Sequence, residues 1–198
     1  MSRKMKYKPR QPLHAFGIRL QETRAGMPRT WWAKRWYEAV ESKDLNSRFG
    51  RARHYAAYGQ VMEIDGIEMA TTTGIKASVM GLRTKPYAVS IKFRAPQGAA
   101  RKKIVESLRN EPMLVARLAA NDFPQEVEQI FKREGCDLFP GGKLAEDVYD
   151  VTTSCTCPDY ANPCKHSMAV LLLLGEEISW RPWRLLQLRG ISLEELVK

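Results

Sequence analysis

Acid is almost missing from the start of this chain. Over residues 1 to 35, Glu22 stands alone against ten Lys or Arg, a local charge of +9 out of a total of +10. The remaining residues carry 22 basic and 21 acidic side chains, so the basicity is an N-terminal arm and not a property of the whole surface. Long apolar runs are missing too. The longest is Met168 to Leu174, far below the roughly 20 residues that span a bilayer, so no membrane partner is expected. The basic start has no apolar stretch of the roughly 7 to 15 residues that a secretory leader needs, so no such leader is expected.

Catalytic signatures are equally scarce. No Gly-x-x-x-x-Gly-Lys-Ser/Thr loop is present to cradle phosphates. His14 and His54 stand isolated from any nucleophile, and the acid pairs Glu176-Glu177 and Glu194-Glu195 fall on polar helix ends. The chain is therefore read as non-enzymatic. Its 198 residues with 44% hydrophobic content are enough for a real core, in one large domain or two small ones.

Cysteine is rare but clustered. Of four cysteines, three lie with a histidine in Cys155-Thr-Cys157-Pro-Asp-Tyr-Ala-Asn-Pro-Cys164-Lys-His166. Three thiolates and one imidazole are a standard tetrahedral set for a structural zinc ion. If Val151 to Cys157 is extended, the i, i+2 spacing sends both sulfurs off one face of the strand. Pro158 and Pro163 then bracket a turn that returns Cys164 and His166 to close the tetrahedron. A disulfide between Cys155 and Cys157 would be strained, and ordinary buried thiols would not concentrate in twelve residues. Cys136 is left as a buried or spare thiol. Reduced thiolates fit a reducing cytoplasm, and with all four positions filled by protein no open site remains for an activated water.

This array resembles the SWIM zinc finger, a Cys-x-Cys, spacer, Cys-x-His module of Swi/Snf-type ATPases, MuDR-type transposases and small prokaryotic proteins. The resemblance extends to Thr30-Trp31-Trp32 with Trp36, to Arg51 to Val61 with Tyr55 and Gly59, and to the leucine-rich helix after His166, covering roughly residues 30 to 190. It implies one structural zinc ion and a role in nucleic-acid or protein association without a shared catalytic activity.

The basic arm suits phosphate neutralisation, with salt-sensitive affinity and no sequence readout. A solubilising tail and a contact with an acidic protein surface are the alternatives. The residues assigned to nucleic acid, with DNA as the expected form, are Arg3, Lys4, Lys6, Lys8 and Arg10 of the arm, Lys165 beside the finger, and Arg181, Arg184 and Arg189 of the tail. The rival partner is a Swi/Snf-type ATPase or another protein subunit, engaged by finger and tail.

Periodicity supplies the rest. Thr30 is placed to cap a helix over about Trp31 to Ser42 whose Trp32, Trp36, Ala39 and Val40 form a core-facing stripe. Trp31 and Arg35, at i, i+4, are spaced for a cation–π contact. Val61 to Ile64 and Ile67 to Ala70 flank Asp65-Gly66 as a hairpin. Ile75, Ala77, Val79 and Tyr87, Val89, Ile91, Phe93 alternate as further strands, with Lys76, Lys92 and Arg94 on the wet side. Three helices follow, centred on Ile104 to Leu108, Leu114 to Leu118 and Val127 to Phe131, the last ending near Gly135. Met168 to Leu174 reads as an enclosed helix that Gly175 ends. Trp180-Arg181-Pro182-Trp183-Arg184 reads as an interface tail or as core, and Ser192-Leu-Glu-Glu caps a short helix over 193 to 198. If exposed, that helix offers Leu193, Leu196 and Val197 as a docking face. The expected architecture is α+β: a flexible arm (1–29), a domain of small antiparallel sheet and helices (30–139), then a zinc-stabilised, ββα-like finger and helical tail (140–198), divided at the turn-rich Phe139-Pro140-Gly141-Gly142.

Overall fold

Alternating side chains at 75–93 demand a sheet with one dry face, and that sheet organises the molecule. A computed structural model describes residues 17–21, 30–41, 46–66, 74–81, 83–140 and 151–198. Helices α1 (Trp31–Val40) and α2 (Asn46–Ala57) precede strands β1 (Val61–Asp65), β2 (Ile75–Val79) and β3 (Tyr87–Phe93). Helices α3 (Gly98–Arg109), α4 (Pro112–Ala119) and α5 (Gln125–Arg133) follow, then β4 (Val151–Cys155), α6 (Lys165–Trp180), α7 (Arg184–Leu188) and α8 (Leu193–Val197). The α+β class read from periodicity is the class observed.

The four strands form one antiparallel sheet in the order β1-β2-β3-β4. Ile75, Ala77 and Val79 are buried with Tyr87, Val89 and Ile91, while Lys76 and Lys92 point to water, as period two requires. β4 pairs Cys155 with Val89 and Val151 with Phe93, so residues on both sides of the division expected at 139–140 share one sheet. β1 pairs with β2 in a register that sets Asp65 opposite Lys76, while the Asp65-Gly66 hairpin expected from the sequence needs a second strand over 67–70. Ile67 to Ala70 lie outside the described residues, as do residues 1–16, 22–29 and 141–150.

The boundary of the basic arm is also revised. Ile18 N–H donates to the Val61 carbonyl at 2.7 Å, Leu20 N–H to the Ala56 carbonyl at 3.0 Å, and Gln21 N–H to Glu176 Oε1 at 2.7 Å. Leu20 is buried. Residues 17–21 therefore belong to the fold, where Ile18 bridges the β1 edge of the sheet.

Helix α6 lies at the centre, packed by α1, α2 and the sheet. The tryptophan stripe of α1 is core, as its spacing indicates, and two of its indoles hydrogen-bond to α6 itself. Trp36 Nε1 donates to the Leu171 carbonyl at 2.9 Å and Trp32 Nε1 to the Ile178 carbonyl at 3.1 Å. A carbonyl has two lone pairs, so each indole finds a buried partner without breaking the helix ladder. Two expectations for α1 fail. Thr30 holds the N-cap position, but its hydroxyl makes no capping bond and is buried without a partner. Arg35 pairs with Glu128 at 3.7 Å, while the Trp31 ring packs on Phe123 and Phe139.

Gly175 does not end α6, which continues to Trp180. A β-carbon there would lie 2.6 Å from Trp36 Cδ1 and 3.2 Å from Tyr37 Cε2, so the glycine is present for close approach between helices. The tail packs on the core from Arg184 onward. Ser192 Oγ accepts from Glu195 N–H at 3.2 Å, making the expected cap of α8; of the docking face foreseen there, Leu196 is buried and Leu193 packs partly buried on the core, leaving Val197 exposed. Arg189 is 1% exposed and donates to the carbonyls of Leu138, Phe139 and Arg94 at 3.0, 3.0 and 2.8 Å. It clasps the tail to the ends of β3 and the α5 segment.

Two stability predictions follow from this packing. Gly175→Ala gains about 1 kcal/mol in helix propensity but forces a methyl into the Trp36 ring, a strain of roughly 1–3 kcal/mol, so urea unfolding should show net destabilisation. Arg189→Leu strips two buried carbonyls and one part-buried carbonyl of their donor and should cost roughly 2–4 kcal/mol by the same assay; unchanged midpoints would refute either account.

Candidate metal centre

Each ligand is delivered by a different local device. Cys155 is the last residue of β4, and its neighbour Thr156 is tied down twice: its N–H donates to the Ala88 carbonyl at 3.0 Å and its hydroxyl accepts from Ala88 N–H at 3.0 Å. That clamp fixes the backbone between Cys155 and Cys157, so the i, i+2 pair is presented from the sheet edge as the spacing foretold. The Pro158 to Pro163 turn then reverses the chain, with Asp159 Oδ1 accepting from Ala161 N–H at 3.2 Å and Thr153 Oγ1 hydrogen-bonded to Asn162 Oδ1. Cys164 is the extended N-cap residue of α6, and His166 sits in the helix's first turn. Sheet edge and helix start thus meet at one point.

All four ligand atoms lie within 4.8 Å of one another. His166 Nδ1 is 3.7 Å from Cys164 Sγ and 3.8 Å from Cys155 Sγ. Tetrahedral zinc with ordinary Zn–S and Zn–N bonds separates sulfur from nitrogen by about 3.6 Å, so the donors fit the ion in kind and in spacing. The cluster suits one structural Zn2+. Cys136 lies apart from it, half-buried, its thiol facing the Glu134 carbonyl at 3.6 Å.

Packing holds the imidazole. The Tyr55 ring meets His166 edge-on at 5.0 Å and Tyr87 lies tilted at 4.7 Å. Gly81 makes room for this: a β-carbon there would fall 2.2 Å from Tyr87 Cε2 and 3.3 Å from His166 Nε2. With Nδ1 turned to the sulfurs, Nε2 is left buried without a hydrogen-bond partner, so ring packing does the orienting that a carbonyl or carboxylate performs at many zinc histidines. Sequence reading had Tyr55 within the resemblance but had no signal for Tyr87 or Gly81 as supports, since each acts through a fold contact.

Proton accounting follows from the geometry. The hydrogen bond from the Cys155 thiol, outweighing burial and helped by His166, holds the Cys164 thiol down to about 2, and the same bond with Cys164, then burial, pushes Cys155 far up. Burial also raises Cys157. The N-terminus of α6 adds a favourable field for a thiolate at Cys164. Without metal the cluster therefore holds one thiolate and two thiols.

Of the nine cations assigned to nucleic acid, the four among the described residues do not form one face. Arg3, Lys4, Lys6, Lys8 and Arg10 lie outside the described residues. Lys165 stands at the start of α6 with Nζ 5.9 Å over the Tyr55 ring. Arg181 and Arg184 are at its far end, roughly 24 Å away for a helix of this length. Arg181 is exposed and pairs with Glu177 at 2.7 Å. Arg184 is buried, 4.5 Å over the Trp183 ring and bonded to Gln187 Oε1 at 2.9 Å. Arg184 and Arg189 are corrected from phosphate contacts to structural residues, because their guanidinium groups are already committed inside the protein.

Zinc loading at neutral pH should release about two protons, from Cys155 and Cys157, so affinity should fall as pH falls and protons compete for sulfur. Calorimetry in buffers of different ionisation enthalpy reads the number directly; zero release would refute the assignment. Cys164→Ser should remove zinc and lower the melting temperature, because the bond between strand and helix start is folding free energy. Retention of one zinc per chain by that variant would rule Cys164 out as a ligand.

Comparison with known proteins agrees with this geometry. The family model of the SWIM zinc finger matches residues 147–175. The chain is similar to the uncharacterized protein Rv2102 of Mycobacterium tuberculosis, at 32% identity over 181 residues, which is 91% of this chain and 62% of that protein. The chain thus spans less than two thirds of the length of the curated relative it matches. No solved structure matches it. With the ligand spacing, the strand-to-helix clasp and the family match in agreement, the chain carries a SWIM zinc finger over residues 147–175.

Proposed function

We propose that this protein is a non-enzymatic accessory subunit that associates with nucleic acid, the finger serving as its structural clasp and the basic arm as its phosphate contact. The observation that carries the reading is the charge asymmetry: nearly the whole net charge of +10 is concentrated before residue 36. Clustered cations release condensed counterions from DNA, which yields affinity without sequence readout. A four-ligand protein set leaves zinc no open position for chemistry, and a SWIM finger is a binding module. Among the described residues no helix is long and apolar enough to cross a membrane.

An adaptor role is the second reading, favoured by one observation. Trp180 is 64% exposed beside a cleft lined by Ile18, Ile64 and Leu173, and tryptophan is a frequent interface anchor. The partner on this reading is a protein subunit such as a Swi/Snf-type ATPase.

Because residues 17–21 are part of the fold, the arm is best tested by charge and not by deletion to residue 29. Changing Arg3, Lys4, Lys6, Lys8 and Arg10 to Gln should flatten the slope of log affinity against log salt by about 4 on duplex DNA, with zinc content unchanged. An unaltered slope would remove the arm from the interface, and no binding of the unmodified protein at low salt would favour the adaptor.

A further inference from the structure

The finger turn and the start of α6 leave a cleft of about 280 Å3 beside the metal cluster, lined by Tyr55, Tyr87, Pro158, Tyr160, Lys165 and His166. Its floor is rigid. Tyr55 and Tyr87 are buried and each is in ring contact with the buried His166, which belongs to the cluster. Its wall is the opposite: Tyr160 is 95% exposed, and its ring has no aromatic contact among the described residues. The volume sits at the small end of ligand sites (~300–1,000 Å3), which suits one flat ring system.

Two cations stand at the cleft's rings. Lys165 Nζ lies 5.9 Å over the Tyr55 ring at the rim, and Arg83 Cζ lies 5.7 Å over the Tyr87 ring. The lining also holds Asp159, whose Oδ1 accepts from Ala161 N–H, and the metal ligand Cys157. An exposed aromatic ring on a cleft whose floor rings carry two cations matches the pairing used by proteins that hold single strands, where bases stack on aromatics and phosphates follow the cations. A duplex hides its base faces in its own stack, so only an unpaired base presents a face to Tyr160.

We propose that this cleft takes one unpaired base of a single-stranded nucleic acid, stacked on Tyr160, with the neighbouring phosphates on Lys165 and Arg83. The inference rests on the nucleic-acid reading above and gives it a second contact independent of the arm. It also assigns the zinc ion a consequence: by fixing the turn between Cys157 and Cys164, the metal sets where Tyr160 stands over the floor.

The test uses full-length, zinc-loaded protein with a labelled oligothymidylate of about twelve nucleotides, within the site size of single-strand binders, and a labelled duplex as the comparison. Tyr160→Ala should weaken single-strand binding roughly tenfold, the loss expected for one base–aromatic stack. Tyr160→Phe should bind as the unmodified protein does. Neither change should alter duplex affinity, and both variants should keep one zinc per chain, which an exposed side chain allows. An oligonucleotide of abasic sites should bind the unmodified protein and Tyr160→Ala equally. Equal single-strand affinity of the unmodified protein and Tyr160→Ala would overturn the cleft assignment while leaving the arm in place. An equal loss on duplex and single strand would overturn base stacking. If the unmodified protein binds neither probe at low salt, the nucleic-acid reading falls with it and the cleft is left to a protein ligand.

Discussion

Helix α6 cannot exist in water by itself, and the rest of the structure is arranged around that constraint. Twelve of its residues are buried, from His166 through Ile178, so it has no face left for solvent. Such a helix is stable only when enclosed. Helices α1 and α2 supply one wall and the sheet another, which is why a chain of short strands and short helices still builds a continuous core from Leu20 to Leu196. The metal cluster acts at the point where enclosure is hardest. The start of α6 sits against a sheet edge, and Cys155 and Cys157 on one side with Cys164 and His166 on the other convert that edge into a fastened corner.

Enclosure has a polar cost, met by unusual partners. Buried indoles and guanidinium groups need acceptors, and here the acceptors are backbone carbonyls: Leu171 and Ile178 for the tryptophans, Leu138, Phe139 and Arg94 for Arg189. These bonds join segments that are distant along the chain, so they resist separation of the finger from the α1 and α3–α5 regions. Two buried polar atoms among the described residues lack partners, Thr30 Oγ1 and His166 Nε2. The second is the nitrogen that faces away from the sulfurs, so the fold orients this imidazole by packing on Tyr55, Tyr87 and the space left by Gly81.

The finger is thereby a part of the core that also shapes the surface. Its strand completes the sheet, its helix fills the centre, and only the turn from Pro158 to Asn162 reaches outward. That division puts the rigid parts of the module inside and one aromatic ring, Tyr160, outside. The basic arm lies elsewhere in the sequence, and Arg184 and Arg189, which composition alone groups with it, serve the interior. Charge by itself is therefore a poor guide to contact in this protein, and burial sorts the cations better.

The amino-acid sequence by itself determined the zinc ligands, the α+β class, the strands at 75–93 and the cap of α8, because each is written in contacts spanning few residues: an i, i+2 pair, a period of two, a Ser-x-x-Glu box. It determined too that the net charge is concentrated in the first 35 residues. Tertiary structure alone decided that β1 pairs with β2, that Gly175 lies inside a helix under Trp36, that Arg35 turns to Glu128, and that Arg189 bonds three carbonyls about 50 or 95 positions away. Glycine read locally marks a helix end; read against a neighbouring indole it marks a close approach. Local patterns encode backbone preference and ligand spacing, whereas a side chain's surroundings depend on which distant segment folding brings to it, and that is set by the competition to cover α6.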